Sequence, residues 1–219
     1  LAAQPAGPSG PPASRAPLGP IRPAAPALRP FGLAEVELLD GPFRDARQRD
    51  ADYMLSLDAD RLLHNFRVNA GLEPKAPVYG GWESQEPWVD IRCHGHTLGH
   101  WLTAGSMIWA STRDARFKER IDYIVDELKA CQDAAGTGLI SAFPDGGEQL
   151  QRAVSGQRFV GVPWYTMHKV FAGLRDAHTL AENDTARAVL VRLTDWAWTV
   201  TEHMSAADWE EMLRREHGG

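Results

Sequence analysis

The sequence has almost no cysteine, no basic run and no long apolar run, and each gap excludes a class of protein. Only Cys93 and Cys131 occur, so a disulfide scaffold is excluded by count and at most one bridge is possible. No apolar stretch reaches the roughly 18 residues that cross a bilayer, so no membrane partner is expected. Net charge is −6 with no basic cluster, so nucleic acid is not an expected partner either. A phosphate loop is missing too: Gly95-x-x-x-Gly99 lacks the Lys-Ser/Thr that would hold a nucleotide.

What is present has the balance of a soluble globular protein, 43% hydrophobic and 24% charged residues in 219. That length suffices for one large domain. Eight tryptophans stand out. Trp beside His and carboxylates suits a site that stacks on a flat ligand face such as a sugar.

Residues 1–30 are dominated by Pro, Ala and Gly. They bury too little apolar surface to offset ordering entropy, which predicts a disordered or polyproline-like leader. The chain opens Leu1-Ala2-Ala3-Gln4-Pro5-Ala6, as after signal-peptide cleavage or truncation, and shows no apolar signal core. Leu33 to Leu39 alternates weakly and predicts a short strand or extended lead-in, stopped at Asp40-Gly41-Pro42. Arg44 to Phe66 predicts one long helix or two short ones. Asn69 to Val89 reads as a loop punctuated by Gly and Pro. It carries Tyr79, Trp82, Glu83 and Trp88, which fits either a pocket wall or a loop pinned to the core by two tryptophans.

Helical periodicity then dominates. His96 to Ala110 has an apolar stripe of Leu98, Trp101, Leu102, Gly105, Ile108 and Trp109. Arg116 to about Asp133 buries Phe117, Ile121, Ile124, Val125 and Leu128 by the same spacing. Leu139 to Pro144 reads as extended, and Asp145 to Gly161 as a loop broken by glycines. Pro163 to Leu180 and Thr185 to Glu202 form a second helix pair. His100-x-x-x-Ala104-Gly105 aligns with His168-x-x-x-Ala172-Gly173 at an offset of 68 residues. This is an internal repeat of helical hairpins. Solenoid repeats keep shorter periods, about 34 to 47 residues, so the spacing favours an α/α toroid with loops converging over one pocket.

The chemistry concentrates in Arg92-Cys93-His94-Gly95-His96-Thr97-Leu98-Gly99-His100-Trp101. His96 and His100 are one helical turn apart, a spacing that also suits a metal site. A zinc-protease helix would need Glu where Thr97 stands. Three readings stay open on the residues alone: a metal site, interior hydrogen-bonded histidines, and polar partners lining a substrate pocket. Cys93 beside His94 or His96 has the makings of a nucleophile, but no third orienting group can be assigned. Cys131, late in its helix, reads as an inert buried thiol.

Five stretches occur in a familiar order: Tyr79-Gly80-Gly81-Trp82-Glu83-Ser84; Gly95-His96 through Leu98-Gly99-His100-Trp101-Leu102; Ile140-Ser141-Ala142-Phe143-Pro144; Val162-Pro163-Trp164-Tyr165-Thr166-Met167-His168-Lys169; and Glu216-His217-Gly218-Gly219. From about Phe31 onward the chain resembles the N-terminal part of glycoside hydrolase families 127 and 146, the β-L-arabinofuranosidases. The resemblance implies an all-α fold, an incomplete (α/α)6 barrel of helical hairpins spanning residues 31–219. It also implies retaining release of L-arabinofuranose from plant-type glycans by a zinc-held cysteine thiolate, with a glutamate as acid/base. In the family those groups follow the Glu-His-Gly-Gly motif, so no catalytic residue or metal ligand is carried onto this chain. Zinc is expected in the full-length protein only.

The resemblance carries over the front of the pocket. His168 and His217 match sugar-binding histidines; Trp82, Glu83, His96 and His100 match other pocket-side motifs, with Tyr165 and Glu216 beside them. The expected partner is a carbohydrate bearing L-arabinofuranosyl groups, and the expected location is extracellular or periplasmic. The 219 residues by themselves are expected to be poorly soluble or molten, and inactive. Two other functions fit the same residues: a non-catalytic helical-repeat carbohydrate-binding module, and an α/α-barrel sugar lyase or epimerase.

Overall fold

Two helical hairpins carry the core of this all-α protein. The computed structural model describes residues 28–84, 93–143, 145 and 147–215. The chain divides into two units, Leu1–Phe31 and Gly32–Gly219. Only residues 28–31 of the first are described, so residues 1–27 of the expected disordered leader lie outside the described residues.

The helices are α1 (Pro42–Ser56), α2 (Ala59–Asn69), α3 (His96–Thr112), α4 (Ala115–Ala135), α5 (Glu148–Val154), α6 (Pro163–Thr179), α7 (Asp184–Thr201) and α8 (Ala206–Arg215). Short 3-10 turns occupy Leu33–Glu35 and Gly81–Glu83, and no strand forms among the described residues. The Leu33 to Leu39 segment is therefore not a strand. Its weak alternation buries nothing: Leu33, Val36 and Leu39 are all exposed, so no sheet face exists to reward it. The Arg44 to Phe66 region resolves into two helices. They break at Leu57-Asp58, where the Asp58 carboxylate caps α2 by accepting from the Asp60 backbone N–H at 2.9 Å.

The hairpins α3–α4 and α6–α7 have nearly the same plan. Both first helices are 17 residues long. A left-handed Arg113 (φ 58°) ends α3, and Asp114 then caps α4 through the Arg116 N–H at 3.0 Å. In the second hairpin Asn183 caps α7 through the Ala186 N–H at 2.7 Å. The stripe expected on α4 is realised in full: Phe117, Ile121, Ile124, Val125 and Leu128 are completely buried. They meet Leu98 and Leu102 of α3 and Val189 and Leu193 of α7 in one core. α3 packs mainly on α6, and α4 packs on α7, giving two layers of paired helices. Gln132, buried in α4, ties α4 to α7 and to the loop that follows α4 by donating to the carbonyls of Val189 and Gly138.

The Asp145 to Gly161 region is not simply a loop. Glu148 to Val154 forms a helix, with Leu150, Ala153 and Val154 buried at helical spacing and Arg152 bridging back to Glu148 one turn earlier. The glycines flank the helix instead of breaking it: Gly147 is its N-cap, and left-handed Gly156 (φ 69°) follows it. Ala153 and Val154 then bury Met212 of α8 in a small second cluster. The single disulfide that the count allowed does not form; Cys93 and Cys131 are both free and buried.

Candidate functional site

The site begins at a helix that cannot cap itself. α3 starts after Gly95, which has no side chain, and its first turn holds no acidic residue. The first backbone N–H groups of a helix need acceptors, and the helix dipole favours an anion there. Glu83 supplies both from the preceding loop. One carboxylate oxygen accepts from Gly95 N–H at 2.6 Å, and the other from Thr97 N–H at 3.1 Å. The Gly81–Glu83 turn that carries it is fixed from below, where the Asn65 side chain donates to the Glu83 carbonyl at 2.8 Å. Burial alone would push the Glu83 carboxyl up. The hydrogen bonds from His96, Thr97 and Gly95 more than offset this, and the carboxyl sits below its ordinary value.

His96 lies against that carboxylate. Its Nδ1 is 2.7 Å from the Cys93 carbonyl and 3.0 Å from Glu83 Oε1. Neither oxygen can donate, so the ring proton is on Nδ1. Around His96 stand Trp82, His100 and Tyr165, with ring centroids at 5.5, 5.9 and 6.5 Å. Trp82 is 54% exposed and so keeps a face for a ligand. Lys169 places its ammonium 4.4 Å above the Tyr165 ring. Burial lowers the His100 pKa, and the nearby Lys169, His96 and His168 add to the effect. His100 is thus held neutral, able to donate through one ring nitrogen and accept through the other.

A cavity of about 390 Å³ opens on one side of this cluster, between the Trp82–Glu83 turn and α1–α2. Tyr53, Tyr79, Trp82, His96 and Thr97 are among its lining residues, with Leu57 and Leu62 as apolar wall. His100 and His168 do not line it.

Of the sequence-predicted residues, the fold gathers Trp82, Glu83, His96, His100, Tyr165 and His168 at the starts of α3 and α6. Glu216 and His217 lie outside the described residues. Lys169 was missed as a site residue although it adjoins His168; a cation in the same helix turn as two aromatics was the available signal. The described part of the Asn69–Val89 loop lines the cavity, while pinning by two tryptophans is not seen: Trp82 is exposed and Trp88 lies outside the described residues. Tyr79 is pinned, its hydroxyl accepting from Asp58 N–H at 2.8 Å, while Trp82 faces solvent. Tryptophan abundance was a poor guide. Trp101 and Trp164 donate their indole N–H to the carbonyls of Met54 and Leu150, and Trp196 stacks on Trp164.

Residues 35–219 match the family model of the β-L-arabinofuranosidase GH127 catalytic domain. The chain belongs to that family. No curated protein matches it. The GH127 assignment makes this a glycoside-hydrolase-type domain, a class whose substrates are carbohydrates. No helix among the described residues is long and apolar enough to cross a membrane.

The zinc and thiolate of the GH127 chemistry do not fit the described residues. Among them no group of three or more His, Cys, Asp and Glu side chains could hold a metal. His96 Nδ1 is committed to two oxygens. Burial pushes the Cys93 thiol up to about 11, with the Glu83 charge adding to it, and burial pushes Cys131 to about 11 as well. Both are protonated thiols near neutral pH, unsuited as nucleophiles.

Proposed function

We propose that Trp82, His96, His100, Tyr165 and His168 form the sugar-recognising front of a retaining β-L-arabinofuranosidase-type domain acting on plant cell-wall glycans. The observation that carries this reading is the convergence of one exposed tryptophan, His100 and a tyrosine within 6.5 Å of the His96 ring. An aromatic face with a few fixed polar groups is the pattern of a pocket that stacks a sugar ring and bonds its hydroxyls. Zinc, the nucleophile and the acid/base belong, on this reading, to parts of the protein other than the described residues. The 219-residue chain is then inactive by itself, and a glycan substrate of this kind implies an extracellular or periplasmic location.

The test is a titration of the chain with L-arabinose and a β-L-arabinofuranoside, followed by NMR shifts. Binding that perturbs the Trp82 indole and weakens in Trp82→Ala and His168→Ala supports the reading. Arabinose release from a chromogenic β-L-arabinofuranoside by the chain would overturn its inactivity. Binding unaffected by either substitution would overturn the site.

The non-catalytic binding-module reading draws on one observation. Both oxygens of Glu83 are engaged, so the carboxylate nearest the cluster has no oxygen free for acid/base work. Glycoside hydrolysis by a longer form of the protein would separate the two.

A further inference from the structure

The Glu83 carboxylate makes one contact more than a helix cap requires. Capping α3 needs an acceptor for Gly95 N–H and Thr97 N–H, and both are satisfied, at 2.6 and 3.1 Å. The third contact, 3.0 Å from Oε1 to His96 Nδ1, satisfies no backbone group of the helix. It falls on a nitrogen already 2.7 Å from the Cys93 carbonyl. A bare Nδ1 lone pair between two oxygens would be repelled by both, so the two acceptors together exclude that tautomer. Glu83 and His96 are only 7% and 8% exposed, so water cannot easily replace either partner.

With the proton on Nδ1, the neutral ring has a lone pair on Nε2. We propose that Glu83 is a positioning residue: it fixes the His96 ring and its tautomer so that Nε2 accepts a hydrogen bond from a sugar hydroxyl. This assigns Glu83 away from direct ligand contact, where the sequence had put it, and rests on the sugar-site reading above. The loop that carries Trp82 and the helix that carries His96 are tied through one carboxylate, so the stacking face and the hydroxyl acceptor are set in register with each other. Such second-layer orientation of an imidazole by a carboxylate is a general device for fixing which ring nitrogen faces the ligand.

The experiment uses the 219-residue chain with Glu83→Gln and Glu83→Asp. Long-range ¹H–¹⁵N spectra report the protonation of each His96 ring nitrogen, with His96→Asn identifying the signals. L-arabinose titration reports affinity. The wild type should show a single Nδ1–H tautomer. Glu83→Gln should show a mixture containing Nε2–H and bind L-arabinose roughly tenfold more weakly. Glu83→Asp, which keeps the charge, should recover part of both. A wild-type ring signature in Glu83→Gln would reduce Glu83 to a helix cap and overturn the proposal, as would a changed signature with unchanged affinity. Should Glu83→Gln fail to fold, the Glu83→Asp signature decides in the same way, shifted in favour or unchanged against. A wild type that takes up no L-arabinose defeats the sugar-site reading instead, while the ring signature still decides what Glu83 does to His96.

Discussion

Gly99 of α3 and Gly173 of α6 meet backbone to backbone. A Cβ on Gly173 would lie 2.6 Å from the Gly99 carbonyl oxygen, and one on Gly99 would lie 2.4 Å from the Lys169 carbonyl. Neither glycine has an unusual φ, so what they supply here is space. Their absence of side chains lets the two inner helices approach closely enough to bring the His96 and Tyr165 rings within 6.5 Å.

Gly99→Ala and Gly173→Ala should therefore each destabilise the chain, by roughly 1–3 kcal/mol, because the clash is with backbone that cannot rotate away. Gly80→Ala is the control: its φ is −74° and nothing lies within 4 Å of the added carbon. Urea unfolding of the three variants checks this. Equal midpoints for Gly173→Ala and Gly80→Ala would contradict it.

The repeat was legible because helical spacing marked it twice, and the α4 stripe from Phe117 to Leu128 needed only periodicity. What the alignment could not show is which glycines touch. It pairs Gly105 with Gly173, yet Gly105 faces the Trp101 ring of its own helix, while Gly99 takes the crossing. Contacts between helices depend on how they cross, which a linear repeat does not encode. The helix α5 was hidden by flanking glycines, whose capping role is visible only once Leu150, Ala153 and Val154 have a core to enter. In the site, the histidines were conspicuous, but the bonds of Glu83 to residues 12 to 14 positions later had no sequence signature.

Cys93 and Cys131 should resist thiol reagents. Burial holds both up at about 11, so thiolate is scarce at pH 7.5 and access is blocked as well. Native chain treated with a disulfide reagent should release little chromophore over minutes, and two equivalents after denaturation. Rapid native reaction of Cys93 would mean its site is open and activated.

Asn183 joins two helices through one side chain. Its oxygen accepts from Ala186 N–H at 2.7 Å and its amide donates to Asp122 at 2.7 Å, tying the start of α7 to α4. Asn183→Ala loses a cap and leaves the buried Ala186 N–H unmatched, so about 1–2 kcal/mol of stability should go. Asn183→Asp keeps the cap but sets two carboxylates together. It should lose stability as pH rises through the carboxylate range, where the alanine variant should not.

His100 gives the pH signature of the site. Burial lowers its pKa first, then Lys169 and His168 from α6 and His96 from its own helix. The unfolded chain takes up a proton on this residue near 6.5, while the folded chain does so only at lower pH. Between those points the unfolded state binds more protons, so stability falls as pH drops below 6.5 and stops falling once pH is below the folded value. His100→Gln should flatten that part of the stability curve. Lys169→Met removes one repelling charge but not the burial, so the His100 ring should titrate higher than in the wild type and still below 6.5. An NMR titration of the C2 proton follows this directly. An unmoved His100 titration in Lys169→Met would mean that the ammonium over Tyr165 does not act on the site, and Lys169 would lose its place in it.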